Sequence, residues 1–221
     1  LPVINETNAD LVATVTVTPT YTNDGIDCTG PSEEFTITVS PTAQVDQVED
    51  IVVCNGDEVA EIEFATTSEN DIAYSWSIDT EIGTASLTGV GNIPLFEAEN
   101  IGTDPVVATV TVTPSNDETD PSLTCEGSSI EFTITVNPTA QVDPVDSLDL
   151  CNGDTAVVDF TTSNGGVDSV TTYSWEITGG DSVFVGGSLT GAGNINLPVI
   201  NETNADLVAT VTVTPTYTND G

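Results

Sequence analysis

The chain contains no lysine, no arginine and no histidine, against 36 aspartates and glutamates in 221 residues. An ordinary domain is about a quarter charged with both signs present. Here the formal charge of −36 has no internal counter-charge. Salt bridges between side chains, cation–π contacts and guanidinium clamps are therefore chemically absent. Nucleic acid is excluded as a partner because phosphate contacts depend on Lys and Arg. Anionic membrane surfaces are excluded for the same reason. The missing bases also remove Ser–His, Cys–His and Ser–Lys catalysis, the P-loop lysine and histidine-based zinc sites. Lys–Asn isopeptide crosslinks are excluded as well. Paired-carboxylate chemistry alone survives. The acids are spread along the solvent faces of the strands, so the chain reads as a non-enzyme with no cofactor.

Methionine is absent and aromatic residues make up only 5% of the chain. No apolar run approaches the roughly 18 residues of a membrane-spanning helix. No stretch has helical periodicity either. High net charge favours disorder when hydrophobicity is low, but 38% of these residues are hydrophobic and the mean hydropathy is slightly positive. Val, Ile, Thr and Phe dominate and alternate with polar residues. The chain is expected to fold, with solvent cations screening its self-repulsion beyond about 8–10 Å.

Repetition decides the architecture. Residues 1–25, LPVINETNADLVATVTVTPTYTNDG, recur letter for letter as 197–221. A shorter period lies inside that one: Cys28 to Cys125, Pro41 to Pro138 and Cys54 to Cys151 are each 97 residues. A copy of that size suits an immunoglobulin-like sandwich of about 100 residues. Period-two alternation marks strands at EVAEIEF (58–64), IAYSWSI (72–78), IPLFEAE (93–99), VVATVTVTP (106–114) and IEFTITVNP (130–138). The expected fold is all-β, with tandem Ig-like sandwiches of about seven strands each, head to tail. Proline in SPTAQVD (40–46) and NPTAQVD (137–143) marks short, semi-rigid linkers. The boundaries predict the C-terminal part of one repeat in 1–43, a complete repeat in 44–140 and most of a third in 141–221. The pattern starts mid-repeat, which suggests an internal segment with any secretion signal elsewhere.

Each repeat carries two cysteines, one in a Cys-Asn-Gly-Asp turn (Cys54, Cys151) and one between the last two strands (Cys28, Cys125). Even numbers at fixed positions read as disulfides in a secreted chain. The simplest pairing is Cys54–Cys125, closing a loop of about 70 residues and adding about 4 kcal/mol in the chain-entropy model. Cys28 and Cys151 would then pair outside the 221 residues. In a standard sandwich the two loops lie at opposite poles, which favours a bridge to a neighbouring repeat instead; unpaired thiols are the third reading. Acids gather at the linkers, Asp46, Glu49 and Asp50 in one and Asp143, Asp146 and Asp149 in the next. They are candidate Ca²⁺ ligands, since Ca²⁺ takes six to eight oxygens; without a D-x-D-x-D-G loop they equally read as solvated linker acids. Trp76 and Trp175, with Tyr74 and Tyr173, read as core anchors rather than a sugar-stacking platform.

The ordered motifs VCNGD, Y-S-W, LTG-x-GNI, VATVTVTP, C-x-G and FTITV-x-PTA resemble the PKD-like repeats of the giant surface adhesins of gliding Bacteroidota, the SprB type. The resemblance covers the whole chain. It implies export to the cell surface, an Ig-like sandwich and a role in adhesion, gliding-associated or fibre-forming. The W-D-F-G-D-G motif of typical PKD domains is replaced by YSWSIDTEIG (74–83), so a ligand role tied to that motif does not carry over. Four triplets resemble the Asp-Ser/Thr-apolar O-glycosylation motif of that phylum, at Ser147, Thr155, Ser169 and Ser182. Asn5 and Asn201 sit in Asn-Glu-Thr sequons, which a bacterial source would leave silent.

These readings converge on a non-catalytic stalk segment of an extracellular adhesin or filament. Its expected partners are neighbouring repeats of the same polypeptide, other copies in fibres and surface polysaccharide. The alternative is a module whose repeats themselves bind glycan or protein.

Overall fold

The computed structural model describes residues 3–68, 71–116, 125–180 and 189–219. Sixteen strands and no helix occur among them. The first copy carries β1 (Leu11–Val17), β2 (Thr20–Asn23), β3 (Ile26–Thr29) and β4 (Glu33–Val39). The middle copy carries β5 (Ile51–Cys54), β6 (Glu58–Val59), β7 (Ile72–Ile78), β8 (Thr88–Val90), β9 (Phe96–Glu97), β10 (Val106–Asn116) and β11 (Ile130–Asn137). The third carries β12 (Thr155–Val158), β13 (Ser169–Gly180), β14 (Thr190–Ala192), β15 (Ile195–Pro198) and β16 (Ala209–Asn219). The β-branched alternation seen in the sequence is what a pleated, half-buried surface selects.

In the middle copy a five-stranded sheet runs β5-β11-β10-β7-β8, and a two-stranded sheet pairs β6 with β9. Buried side chains come from both, including Val59 and Phe96 from the small sheet and Trp76, Ile78, Val110, Val112, Phe132 and Ile134 from the large one. This is consistent with a β-sandwich. The third copy repeats the scheme with β14-β13-β16 and β12-β15. Its core is Ala156, Phe160, Trp175 and Ile195. The ladders match residue for residue: Trp76 lies opposite Val112 and Trp175 opposite Val213. In the first copy β1 pairs with β4, and β2 with β3 through the two-residue turn Asp24-Gly25. Both turn residues have positive φ, as the hairpin turn matching strand twist demands.

The Leu-Thr-Gly-x-Gly-Asn motif acquires a reason here. Gly89 lies opposite Trp76, and Gly191 opposite Trp175. A Cβ on either glycine would stand 2.2 Å from an indole ring carbon. The glycine therefore leaves the space the indole fills. Asn92 and Asn194 then each accept the backbone N–H of the core phenylalanine, Phe64 at 3.2 Å and Phe160 at 3.0 Å. Both indole N–H groups are buried without a hydrogen-bond partner, so these tryptophans act through volume and not through a polar handle.

The chain divides into two compact units, 1–51 with 59–96 and 108–134, and 52–58 with 97–107 and 135–221. Both repeat boundaries, 43/44 and 140/141, fall inside a unit.

Candidate functional site at the repeat junctions

Carboxylates without cations must find other donors, and backbone N–H groups, hydroxyls and asparagine amides supply them. Asp57 Oδ2 accepts the Cys54 N–H at 2.9 Å, and Asp154 Oδ2 the Cys151 N–H at 2.8 Å. These acids close the Cys-Asn-Gly-Asp turns. Asp50 Oδ1 accepts Thr133 N–H at 2.6 Å and Asp79 Oδ1 accepts Thr109 N–H at 2.8 Å. Hydrogen bonds to an ionised acceptor are roughly twice as strong as neutral ones. The backbone donor at Thr109 holds the Asp79 carboxyl below the usual carboxylate range. Burial, reinforced by the charge on Asp46, raises the Tyr74 hydroxyl above its ordinary value.

At the first junction, the linker after β4 is tied down by β10, β11 and the loop after β6. Asn116 Nδ2 donates to Pro41 O at 2.8 Å, and Asp46 N–H to Ala65 O at 2.8 Å. Gln47 Nε2 donates to Glu131 O at 3.0 Å. Pro41 and Ala43 are buried. A Cβ on Gly127 would lie 1.9 Å from Ala43 O, so only glycine admits the linker this closely.

The second junction is organised by Asn164. Its Oδ1 accepts Gln141 N–H at 2.6 Å, while its Nδ2 donates to Thr139 O at 3.1 Å and Thr103 O at 3.4 Å. Gly165 N–H donates to Thr103 O at 3.0 Å. Tyr217 hydroxyl donates to Gly165 O at 2.7 Å, and Asn219 Nδ2 to Asn137 Oδ1 at 3.1 Å. Asp143 N–H donates to Thr161 O at 2.8 Å, and its carboxylate accepts the Thr161 hydroxyl at 2.7 Å.

The expected Ca²⁺ ligands do not gather. No group of three or more metal-ligating side chains occurs among the described residues. Asp50 and Asp143 are committed to the bonds above, and Asp46, Glu49, Asp146 and Asp149 stand exposed. The donor set does not fit a Ca²⁺ shell, which needs converging oxygens. The cysteines also stay apart: all four are exposed and no disulfide joins any of them. The expected Cys54–Cys125 bridge is thus not formed. Cys54 ends β5, where the next residue, Asn55, donates its N–H to Asn137 O at the C-terminal end of β11, whereas Cys125 precedes the opposite end of that strand. Of the glycosylation candidates, Ser147 and Thr155 are exposed. Ser169 is partly buried, and its hydroxyl bonds Gly165 O and Gly166 O. Ser182 lies outside the described residues.

Sequence reasoning missed the asparagines. Asn5, Asn100 and Asn201 each fold the following loop around one amide. Asn100 Oδ1 accepts Gly102 N–H at 2.9 Å while its Nδ2 reaches Asp104 O at 2.9 Å and Val136 O at 2.7 Å. Asn55 and Asn152 in the Cys-Asn-Gly-Asp turns accept the backbone N–H of Asn100 and Asn201 at 2.7 and 2.8 Å. The available signal was recurrence: Asn5 and Asn201, and Asn55 and Asn152, hold equivalent places in their copies. An open depression on the third copy, about 550 Å³, is lined by Ser174, Trp175, Glu176, Thr190, Gly191, Ala192 and Thr214. Glu176 is the single ionisable group among its described lining residues. Compared with known proteins, the chain matches no family model and no curated protein.

Proposed function

We infer that this chain is a non-catalytic segment of an extracellular adhesive stalk, with Ig-like sandwich repeats strung head to tail. The observation that carries the reading is the stitching of both linkers onto the repeats that follow them, so that each repeat boundary lies within a compact unit. A spacer needs joints that resist bending, and here the resistance comes from asparagine amides and buried proline. No ion pair is involved, so salt does not loosen the joints. Unscreened negative charge along successive repeats favours extension over collapse. The absence of Lys and Arg leaves trypsin-like proteases no cleavage site, which suits an exposed fibre.

Small-angle scattering on chains of increasing repeat number tests the reading. A stalk adds a constant increment to the maximum dimension with each repeat, at both 0.05 and 0.5 M salt. Growth as the square root of repeat number would mean flexible joints and would sink it. A glycan array with the same protein addresses the binding-module alternative, for which saturable binding would be the signature.

A further inference from the structure

The first and last strands of the middle copy lie side by side. β5 and β11 are hydrogen-bonded neighbours at one edge of the five-stranded sheet. Three bonds give their relative direction. Gln47 Nε2 donates to Glu131 O at 3.0 Å, Thr133 N–H to Asp50 Oδ1 at 2.6 Å and Asn55 N–H to Asn137 O at 2.9 Å. Residue numbers rise together on both sides, so the two strands run parallel. β5 therefore begins at the end of the sheet where the linker 40–46 enters, and β11 finishes at the opposite end, where the linker 137–143 leaves. A fourth bond, from Asn55 Nδ2 to Thr139 Oγ1 at 2.9 Å, extends the pair onto the leaving linker.

We propose that this pair is a shear clamp, the element through which the middle repeat bears tension, with Gln47 and Asp50 as added rungs. Tension along the chain pulls β5 toward the entering linker and β11 toward the leaving one. Parallel strands pulled this way slide along each other, and the bonds between them are loaded together. Pulled apart from one end, the same strands would peel, and each bond would meet the whole load in turn. β11 is the fixed side: its Phe132, Ile134 and Val136 are 2%, 0% and 0% exposed. β5 is the side that yields, because Ile51 and Val53 are only partly buried. It is short, Ile51–Cys54, and the side chains of Gln47 and Asp50 lengthen the bonded stretch ahead of it. The Asp50 rung ends on a carboxylate, which makes it about twice as strong as a neutral bond.

The use of the clamp rests on the stalk reading, since only a chain under tension needs one. The clamp itself belongs to a single repeat. Bendable joints in the scattering series would remove its use and leave its geometry standing.

The test stretches the full chain in optical tweezers along two directions. Native cysteines that do not serve as handles are changed to serine. Handles at Gln44→Cys and Gln141→Cys, both exposed positions, load the pair in shear. Handles at the native Cys54, also exposed, and at Gln141→Cys load the same pair from one end. At equal loading rate the shear direction should unfold at about twice the force of the peeling direction or more, because forced unfolding follows the unfolding rate of the loaded path. Asp50→Ala should lower the shear force and leave the peeling force, set at the Asn55 end, where it was. Asp50→Asn keeps an acceptor oxygen and should restore most of the loss. Hydrogen exchange of β7 and β10 checks that each variant is folded. Equal forces in the two directions would overturn the proposal, and that comparison needs no destabilised variant. A shear force indifferent to Asp50→Ala would remove Asp50 from the clamp and overturn it as stated.

Discussion

Residues 11–23 and 207–219 are the same thirteen residues in two settings, and they fold differently. In the first copy the chain runs as β1, breaks at Thr18-Pro19 and turns into the β2–β3 hairpin. In the third copy Ala209–Asn219 is one eleven-residue strand laid along β13. The odd positions Val15, Val17, Pro19 and Tyr21 correspond to Val211, Val213, Pro215 and Tyr217. The latter four are all partly buried, whereas of the former only Val15 is. In β10 the matching positions Val110, Val112 and Pro114 are fully buried. The alternation chooses which face is apolar in all three. How far that face leaves water depends on what lies across from it.

The largest effect should come from removing what lies across. Trp175→Ala takes away the side chain opposite Val213 and should cost the third repeat about 3–5 kcal/mol. In hydrogen exchange, β16 should lose its protection and come to resemble β1, while β1 and β10 stay as they were. If β16 keeps its protection, packing does not explain the contrast. A graded series follows. Val112→Ala should cost about 2 kcal/mol, Val213→Ala about 1 and Val17→Ala less than about 0.5, in proportion to the burial each loses. Urea unfolding of the three variants checks the order, and equal values would mean that intrinsic strand preference and not burial is at work.

Asparagine should reverse that ranking. Asn5 bonds two carbonyls and Asn201 one, so Asn5→Ala should cost roughly 0.5–1.5 kcal/mol more than Asn201→Ala. Matched losses would show that the Val39 bond contributes nothing. The smallest effect concerns acid. Asp79 has a lowered folded pKa, so its contribution is present above the ordinary carboxylate value and fades as pH falls through the lowered one. Its counterpart in the third copy is Thr178, which pairs with the Thr212 hydroxyl at 2.9 Å. Acid should therefore open the β7–β10 ladder before the equivalent β13–β16 ladder. Asp79→Asn should remove the difference, read out as exchange rates between pH 5 and pH 2.5.

Much of the fold was legible because it is written in short-range pattern. The strands at 72–78, 106–114 and 130–138 fall where alternation put them, and the described residues are all-β as the pattern required. The tryptophans are core residues as read, since their neighbours on the same face are apolar. The site was less legible. Acid clusters at the linkers suggested a shared ligand, yet sequence proximity does not make carboxylates converge, and Asp50 and Asp143 found donors within hydrogen-bond reach instead. Cysteine spacing suggested a bridge, while the strand order already put the two loops at opposite poles of a sandwich, and Cys54 and Cys125 stay apart. Asn164 and Asn116 could not be found from pattern, because what they bind are carbonyls of linkers that only the tertiary structure brings near.

What the sequence determined alone is everything that lies within a few residues of itself. The Asn5 and Asn201 loops are the proof: each Oδ1 accepts from Thr7 or Thr203 at 2.9–3.0 and 2.7 Å, whichever copy is inspected. Such bonds close over two residues and need no partner strand. Burial, strand continuity and the hydrogen bonds of the linkers were decided by tertiary structure, because each requires a surface supplied from far along the chain. Thirteen identical residues carry identical preferences, and only the neighbour across the sheet separates a half-buried strand from an exposed one.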